Sequence, residues 1–178
     1  RLSNYPTSLM VGEVFPSDPL VEVVDSYGNL SSGYTGTVEF TGADSVHAPY
    51  TFTSGDAGSH IFPGTAFLYE QSGNHRLVVA DQAIPSLRDT SDIITVSANG
   101  IASFDLTAPD TVIAGTPFSL VVSNAMDRFG NLISGVVIVA DSLGGGSSPD
   151  GTPPIYSNIN VANGAGSGLQ TLVRTGTV

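Results

Sequence analysis

The sequence holds no cysteine, no lysine and no tryptophan among its 178 residues. Without cysteine there are no disulfides, thiolate metal sites or thiol nucleophile. This does not assign a reducing compartment, because larger β domains are stabilised by core burial instead. Without lysine there is no Schiff-base amine, no phosphate-loop ammonium and no isopeptide cross-link. The only bases are five Arg, set against 16 acids, for a net charge of −11. That balance disfavours nucleic acid and anionic membrane surfaces and suits divalent cations or simple solubility outside a cell. No run approaches the ~20 apolar residues that span a bilayer, and no signal peptide is recognisable. The start at Arg1, without Met, reads as a mature or excised segment.

Helical periodicity is equally scarce, and period two takes its place. Tyr34, Gly36, Val38 and Phe40 alternate with Thr35, Thr37, Glu39 and Thr41, as one strand with an apolar and a polar face would. Tyr50 and Phe52 alternate with Thr51 and Thr53. Ile94, Val96 and Ala98 alternate with Thr95 and Ser97. Phe118, Leu120 and Val122 alternate with Ser119, Val121 and Ser123. A hydrophobic fraction of 40%, with 21 Gly and 11 Pro, describes packed cores made of short strands and turns. The expected fold class is all-β, with two tandem antiparallel sandwiches. About seven strands are expected in the first, near 1–6, 18–25, 34–41, 48–53, 59–69, 75–80 and 91–98.

Two domains are expected because one phrase occurs twice. Val11-Gly-Glu-Val-Phe15 precedes Asp25-Ser-Tyr-Gly-Asn-Leu-Ser-Ser-Gly33, and Ala114-Gly-Thr-Pro-Phe118 precedes Asp127-Arg-Phe-Gly-Asn-Leu-Ile-Ser-Gly135. Pro6 and Pro109 keep the same register. A repeat of this length is a whole domain, which gives domains at 1–98 and 102–178, joined by the short Ser97–Ile101 linker as a semi-rigid rod. Laying Gly176 against Gly73 leaves residues 76–98 without a counterpart. The second domain is therefore expected to lack its last strands, which follow Val178 or come from another chain by strand addition. Leu143–Pro154 is expected as a flexible loop, read as a tolerated insertion.

The repeated motif has its own chemistry. Gly28 and Asn29, with Gly130 and Asn131, suit positive φ and a sharp turn; Asp25 and Asp127 can accept N–H bonds two residues on; Tyr27 and Phe129 are expected to fold back onto the core. At these residues, and along Tyr34-Thr-Gly-Thr-Val-Glu-Phe-Thr41, Tyr50-Thr-Phe-Thr53 and Asp56-Ala-Gly-Ser-His-Ile-Phe62, the chain resembles the bacterial Ig-like repeats of large surface proteins of the invasin and intimin type. It is more loosely similar to filamin-type repeats. The resemblance covers nearly all of 1–98, runs clearly to Gly135 in the second copy, and weakens after it. It implies Ig-like sandwiches serving as stalks, adhesive tips or accessory modules.

Candidate sites are few. His47, His60 and His75 come with no Gly-x-Ser-x-Gly elbow or His-Glu-x-x-His motif, so no catalytic residue is assigned. His60 is placed on a strand, His47 and His75 in loops. Asp44, Asp56 and Glu70 are the carboxylates from which a glycosidase pair would be drawn, but acids are common on so acidic a chain. Calcium is the sharpest ligand hypothesis, with Asp25, Asp127, Asp105 and Asp110 as candidate ligands. Asn29-Leu-Ser31 is an N-glycosylation sequon on an exposed turn. The expected function is a non-catalytic structural or adhesive segment at the cell surface, partnered by neighbouring repeats or subunits, with a host or glycan ligand. The alternative is a carbohydrate-binding accessory module of a secreted enzyme.

Overall fold

A computed structural model describes residues 1–140 and 147–173. The chain is all-β: among the described residues the strands are joined by turns, and the one helical element is a single 3₁₀ turn, Gly64–Ala66. It folds as two compact units, Arg1–Ala98 and Asn99–Val178.

The first unit contains ten short strands: β1 (Leu2–Ser3), β2 (Ser8–Met10), β3 (Leu20–Glu22), β4 (Thr37–Thr41), β5 (Tyr50–Thr51), β6 (Ser59–Ile61), β7 (Gly73–His75), β8 (Val78–Asp81), β9 (Arg88–Thr90) and β10 (Ile94–Ser97). They form three sheets ordered β1-β3-β6, β2-β10-β7 and β5-β4-β8-β9. Ten strands replace the expected seven because β2 and β9 lie outside the expected ranges and the 75–80 range is divided between β7 and β8. Pro6 has no N–H to donate and Asn4 is left-handed (φ 58°), so the expected strand 1–6 stops at Ser3, and the chain resumes beyond it as β2 in a different sheet. Pro63 ends the expected 59–69 strand at β6. Gly64 then enters the 3₁₀ turn so close to the Ser17 and Phe15 carbonyls that a Cβ would lie 2.5 and 2.7 Å from them. The expected 75–80 strand changes sheets, β7 pairing with β10 and β8 with β4. β9 carries no periodic signal in the sequence.

Among the described residues pairing is antiparallel with one exception. β2 runs parallel to β10, with Leu9 opposite Val96, which corrects the purely antiparallel expectation. The core is aromatic. Phe40 meets Phe62 and Phe67 edge-on at 4.8 and 4.9 Å, and Phe15 stacks on Phe67 at 5.3 Å. Such offset and edge-to-face pairs stabilise by ~0.5–1.5 kcal/mol each beyond burial.

The second unit contains β11 (Ser103–Thr107), β12 (Phe118–Met126), β13 (Gly135–Val137), β14 (Ile159–Val161) and β15 (Gly166–Gln170), in sheets β11-β12-β15 and β13-β14. β12 keeps its alternation to Val122, then shifts phase. Asn124 is left-handed (φ 51°) and sits where the β11 register slips between Ser103 and Asp105. This bulge turns Ala125 and Asp127 inward. The buried apolar residues here are Val122, Ala125, Ile133, Ile159 and Val161. The expected 143–154 loop falls partly on 141–146, outside the described residues, as does Gly176. From Ser148 the chain makes a tight turn, with the Thr152 carbonyl accepting from Ser148 N–H at 2.8 Å.

The two units repeat one set of backbone bonds. Asp25 N–H donates to the Asn29 carbonyl, and Asp127 N–H to that of Asn131. Ser31 N–H reaches Val23, and Ile133 N–H reaches Ala125. Val23 N–H reaches Gly58, and Ala125 N–H reaches Gly164. The last pair aligns the left-handed Ala57-Gly58 with the equally left-handed Asn163-Gly164. The second unit thus keeps this turn without the Asp-x-Gly-x-His-x-Phe signature, so sequence similarity stops where backbone similarity continues. The tie of Gly12 N–H to the Tyr69 carbonyl is matched by Gly115 N–H to Leu172.

Candidate functional site

The doubled motif forms a closed polar turn in both units. Asp25 Oδ1 accepts from the N–H groups of Tyr27 and Asn29 at 2.9 Å each, and Asn29 Nδ2 donates to the same carboxylate at 3.1 Å. Asp127 Oδ1 accepts from Phe129 and Asn131 N–H at 2.9 and 3.0 Å, and its Oδ2 from Asn99 N–H at 3.1 Å. Gly28 (φ 87°) and Gly130 (φ 86°) make the bend. The Asn29 side chain and backbone N–H hold the Asp25 carboxyl below the usual carboxylate range. At Asp127 burial pulls the other way, but the N–H groups of Asn131, Asn99 and Phe129 outweigh it and its carboxyl is also lowered.

The aromatic of this motif does not anchor the core as expected. Tyr27 is 89% exposed, because the bend carries it to the turn's tip. Phe129 is half-buried, with the Arg128 guanidinium 4.6 Å over its ring. In the second unit the carboxylate is the buried group instead: Asp127 is 3% exposed. Asn29, the sequon residue, has its amide committed to Asp25.

The calcium candidates are not gathered. Asp25 and Asp127 lie in different units, and each already receives N–H donors that a cation would have to displace. Asp105 Oδ2 accepts from Asn124 Nδ2 at 2.7 Å, which braces the β12 bulge. Asp110 is exposed. Among the described residues no three His, Asp or Glu side chains are grouped as metal ligands.

The densest polar cluster surrounds Asp56. Its carboxylate accepts from Thr53 N–H at 2.6 Å, Thr53 Oγ1 at 2.7 Å and the Tyr50 hydroxyl at 3.1 Å, and lies 2.7 Å from His60 Nδ1. The Thr53 backbone and side chain, then His60, hold it well below the usual range. The His60 ring stacks on Tyr50 at 3.9 Å and meets Phe62 edge-on at 4.8 Å. A His–Asp pair could orient a base. Here the carboxylate ties a turn, and among the described residues no serine or threonine hydroxyl is bonded to the His60 ring. Tyr50 lies six residues before Asp56, and the turn at 53–59 between β5 and β6 brings it against the carboxylate and the His60 ring.

Of the other titratable candidates, Asp44 and Glu70 are neighbours, Glu70 N–H donating to Asp44 Oδ2 at 2.7 Å, while Asp56 lies apart. His47 is in a loop and bonds the Ala48 carbonyl at 2.6 Å. His75 ends β7 and contacts the Gln71 carbonyl at 2.9 Å, which corrects its loop placement. A cleft of about 260 Å³ opens between the β3 and β8 layers, floored by Val21, Val38 and Val79 and rimmed by Arg1, Arg88 and Asp89. Nothing in the sequence pairs these residues. Inside it the Tyr34 hydroxyl donates to Asp81, whose carboxyl that bond lowers. No family model, curated protein or solved structure matches the chain.

Proposed function

We propose that this chain is a non-catalytic segment of an extracellular array of tandem Ig-like β-sandwiches, working as a stalk, adhesin, surface-layer or filament component. The mechanism is mechanical: successive domains hold a distal function away from a surface, or pack with neighbouring subunits. One observation carries this reading. In the first unit β2, near its start, and β10, its last strand, run parallel and hydrogen-bonded. Ser8, Leu9 and Met10 face Thr95, Val96 and Ser97, extended by Val11 N–H to the Ser97 carbonyl at 2.9 Å and Thr95 N–H to Thr7 at 3.0 Å. Tension applied to the two ends of such a unit pulls parallel terminal strands along their length, in opposite directions. Their hydrogen bonds are then loaded together in shear, whereas antiparallel terminal strands would open one bond at a time. The backbone bonds shared by the two units support a repeated Ig-like plan, and the polar turns at Asp25 and Asp127 recur in both.

The test is single-molecule stretching of the full chain from its ends. A distinct force peak is expected that releases about 320–350 Å, the extended length of residues 1–98. Val11→Pro removes one clamp donor and is expected to lower that peak without unfolding the unit at rest. Extension with no peak, or a peak unmoved by V11P, would refute the mechanical reading. The runner-up, a glycan-binding accessory module, draws on the exposed Tyr27 ring, since sugars stack on exposed aromatics. A glycan array with hits abolished by Tyr27→Ala would favour it instead.

A further inference from the structure

The tripeptide Ala-Asn-Gly occurs at 98–100 and again at 162–164, and the fold holds the two copies in opposite ways. Asn followed by Gly is a reactive pair. The Gly amide nitrogen can bond to the Asn side-chain carbonyl carbon and close an imide ring, because Gly has no Cβ in the way and its backbone turns freely. At 162–164 the structure seals this route. Asn163 (φ 48°) and Gly164 (φ 80°) are the central residues of a tight hairpin turn, closed by reciprocal backbone bonds between Ala162 and Ala165. Gly164 N–H donates to the Ile133 carbonyl at 2.7 Å, and Asn163 N–H to Ser134 Oγ at 3.0 Å. Gly164 is buried, so ring closure there requires the turn to open first.

At 98–100 no such lock exists. Among the described residues Gly100 N–H makes no backbone bond, and its partner is the Asn99 side chain itself, with Oδ1 at 2.8 Å. That bond keeps Cγ, directly attached to the accepting oxygen, against the nitrogen that attacks it. Gly100 is exposed, and nothing lies within 4 Å of the place a Cβ would take. We propose that Asn99–Gly100 is a self-modifying site, which converts irreversibly to aspartate and isoaspartate while the identical tripeptide at 162–164 is preserved. The Gly100 nitrogen gives up its proton to water and bonds to Asn99 Cγ; the Cγ–Nδ2 bond breaks, and that nitrogen leaves as ammonia. Water then opens the imide. Cleavage at Cγ restores the chain with an aspartate, and cleavage at the backbone carbonyl sends the chain through Cβ and Cγ as isoaspartate. Water is the sole co-reactant. Either product sets a new carboxylate beside an anchor of the second unit: Asn99 N–H donates to Asp127 Oδ2 at 3.1 Å, and Ala102 N–H to the Met126 carbonyl at 2.8 Å. Asp127 is 3% exposed, so a second negative charge next to it is unfavourable. The isoaspartate also lengthens the backbone between these bonds by a methylene. The anchor at Asp127 therefore loosens as the protein ages.

The test is incubation of the full chain at mildly alkaline pH, followed by arginine-specific cleavage, which separates the two tripeptides into peptides 89–128 and 129–174. Fragment masses are expected to show the change from amide to acid at Asn99 about tenfold or more faster than at Asn163, whose reaction waits on local opening. Isoaspartate is expected among the products, since direct hydrolysis of the side chain gives aspartate alone. Gly100→Ala has open space for its Cβ and a φ outside the left-handed region, so it should slow the conversion without destabilising either unit. In urea the two sites should react at similar rates, because the protecting turn is gone. Fully aged protein should exchange the Asn99 and Phe129 amides faster than fresh protein, with the Tyr27 and Asn29 amides unchanged. Equal rates at Asn99 and Asn163 in the folded chain, aspartate without isoaspartate, or an unslowed Gly100→Ala overturns the proposal. Unchanged exchange at Asn99 and Phe129 after ageing overturns the link to Asp127.

Discussion

Asp127 and Asp25 head the same Asp-x-aromatic-Gly-Asn motif, yet their burial sets them apart. Asp127 is 3% exposed and holds three backbone N–H groups, one of them from Asn99; Asp25 is exposed and serves its own turn alone. Asp127→Ala strands those donors in a partly buried site and is expected to cost about 2–3 kcal/mol, enough to threaten a unit with so small a core. Asp25→Ala is expected to cost less. Urea titrations of the variants, followed by amide signals from each unit, check the order, and equal losses would refute it. The carboxylates also fix the acid behaviour. Asp25, Asp56, Asp81, Asp127 and Asp150 all have lowered folded pKa values. Each therefore contributes stability that is fully present above the unfolded value of about 3.9 and is lost as pH falls through the folded one. The urea midpoint should hold from pH 7 to about 5 and drop below about 4. Asp56→Asn should flatten that drop in the first unit. A midpoint independent of pH down to 2 would contradict this account.

Strand faces were legible at the scale of the element, and strand ends were not. The alternation at 37–41 and 94–97 reads correctly because burial on one side leaves a period of two in the residues. The early strand ends before Pro6 and Pro63 and the division between β7 and β8 depend on which sheet each piece joins, a long-range matter that no local window contains. The Asp56 cluster is likewise half-visible. Its residues stand out singly, but nothing in the pattern shows that the turn after β5 folds Asp56 back under the Tyr50 hydroxyl. The Asn163-Gly164 turn was hidden for a different reason. Backbone geometry needs only residues that tolerate positive φ, so the signature side chains could be lost while the turn was kept. That equivalence also yields a comparison. Gly58 (φ 83°) and Gly164 (φ 80°) occupy matching turns, but a Cβ on Gly58 would lie 2.5 Å from the Ser31 carbonyl oxygen, whereas on Gly164 the nearest atom is Leu132 Cδ2 at 2.6 Å. Both alanine variants incur ~1–2 kcal/mol for the left-handed backbone. Leu132 is 42% exposed and can rotate away, while a carbonyl in a turn cannot. Gly58→Ala should therefore destabilise its unit more than Gly164→Ala destabilises the other, as thermal unfolding of the two variants would show.

For the whole molecule, the contrast between the units predicts unequal stability. The first surrounds a cluster of Phe15, Phe40, Phe52, Phe62, Phe67 and Tyr69, none more than 4% exposed. The second, among its described residues, buries five smaller apolar side chains and leaves Ile113, Val136, Ile138, Ile155 and Leu169 more than half exposed. Burying a large apolar side chain contributes ~1.5–3 kcal/mol, while backbone ordering costs ~1–2 kcal/mol for every residue in either unit. The net therefore favours the first unit strongly. Native-state hydrogen exchange should show β4, β8 and β10 amides opening only with global unfolding of their unit, and β12 and β15 amides opening at much lower free energy. Calorimetry of the full chain should give two transitions, the lower one belonging to the second unit. A single cooperative transition, with β12 and β4 amides exchanging together, would mean that the two units do not carry separate cores.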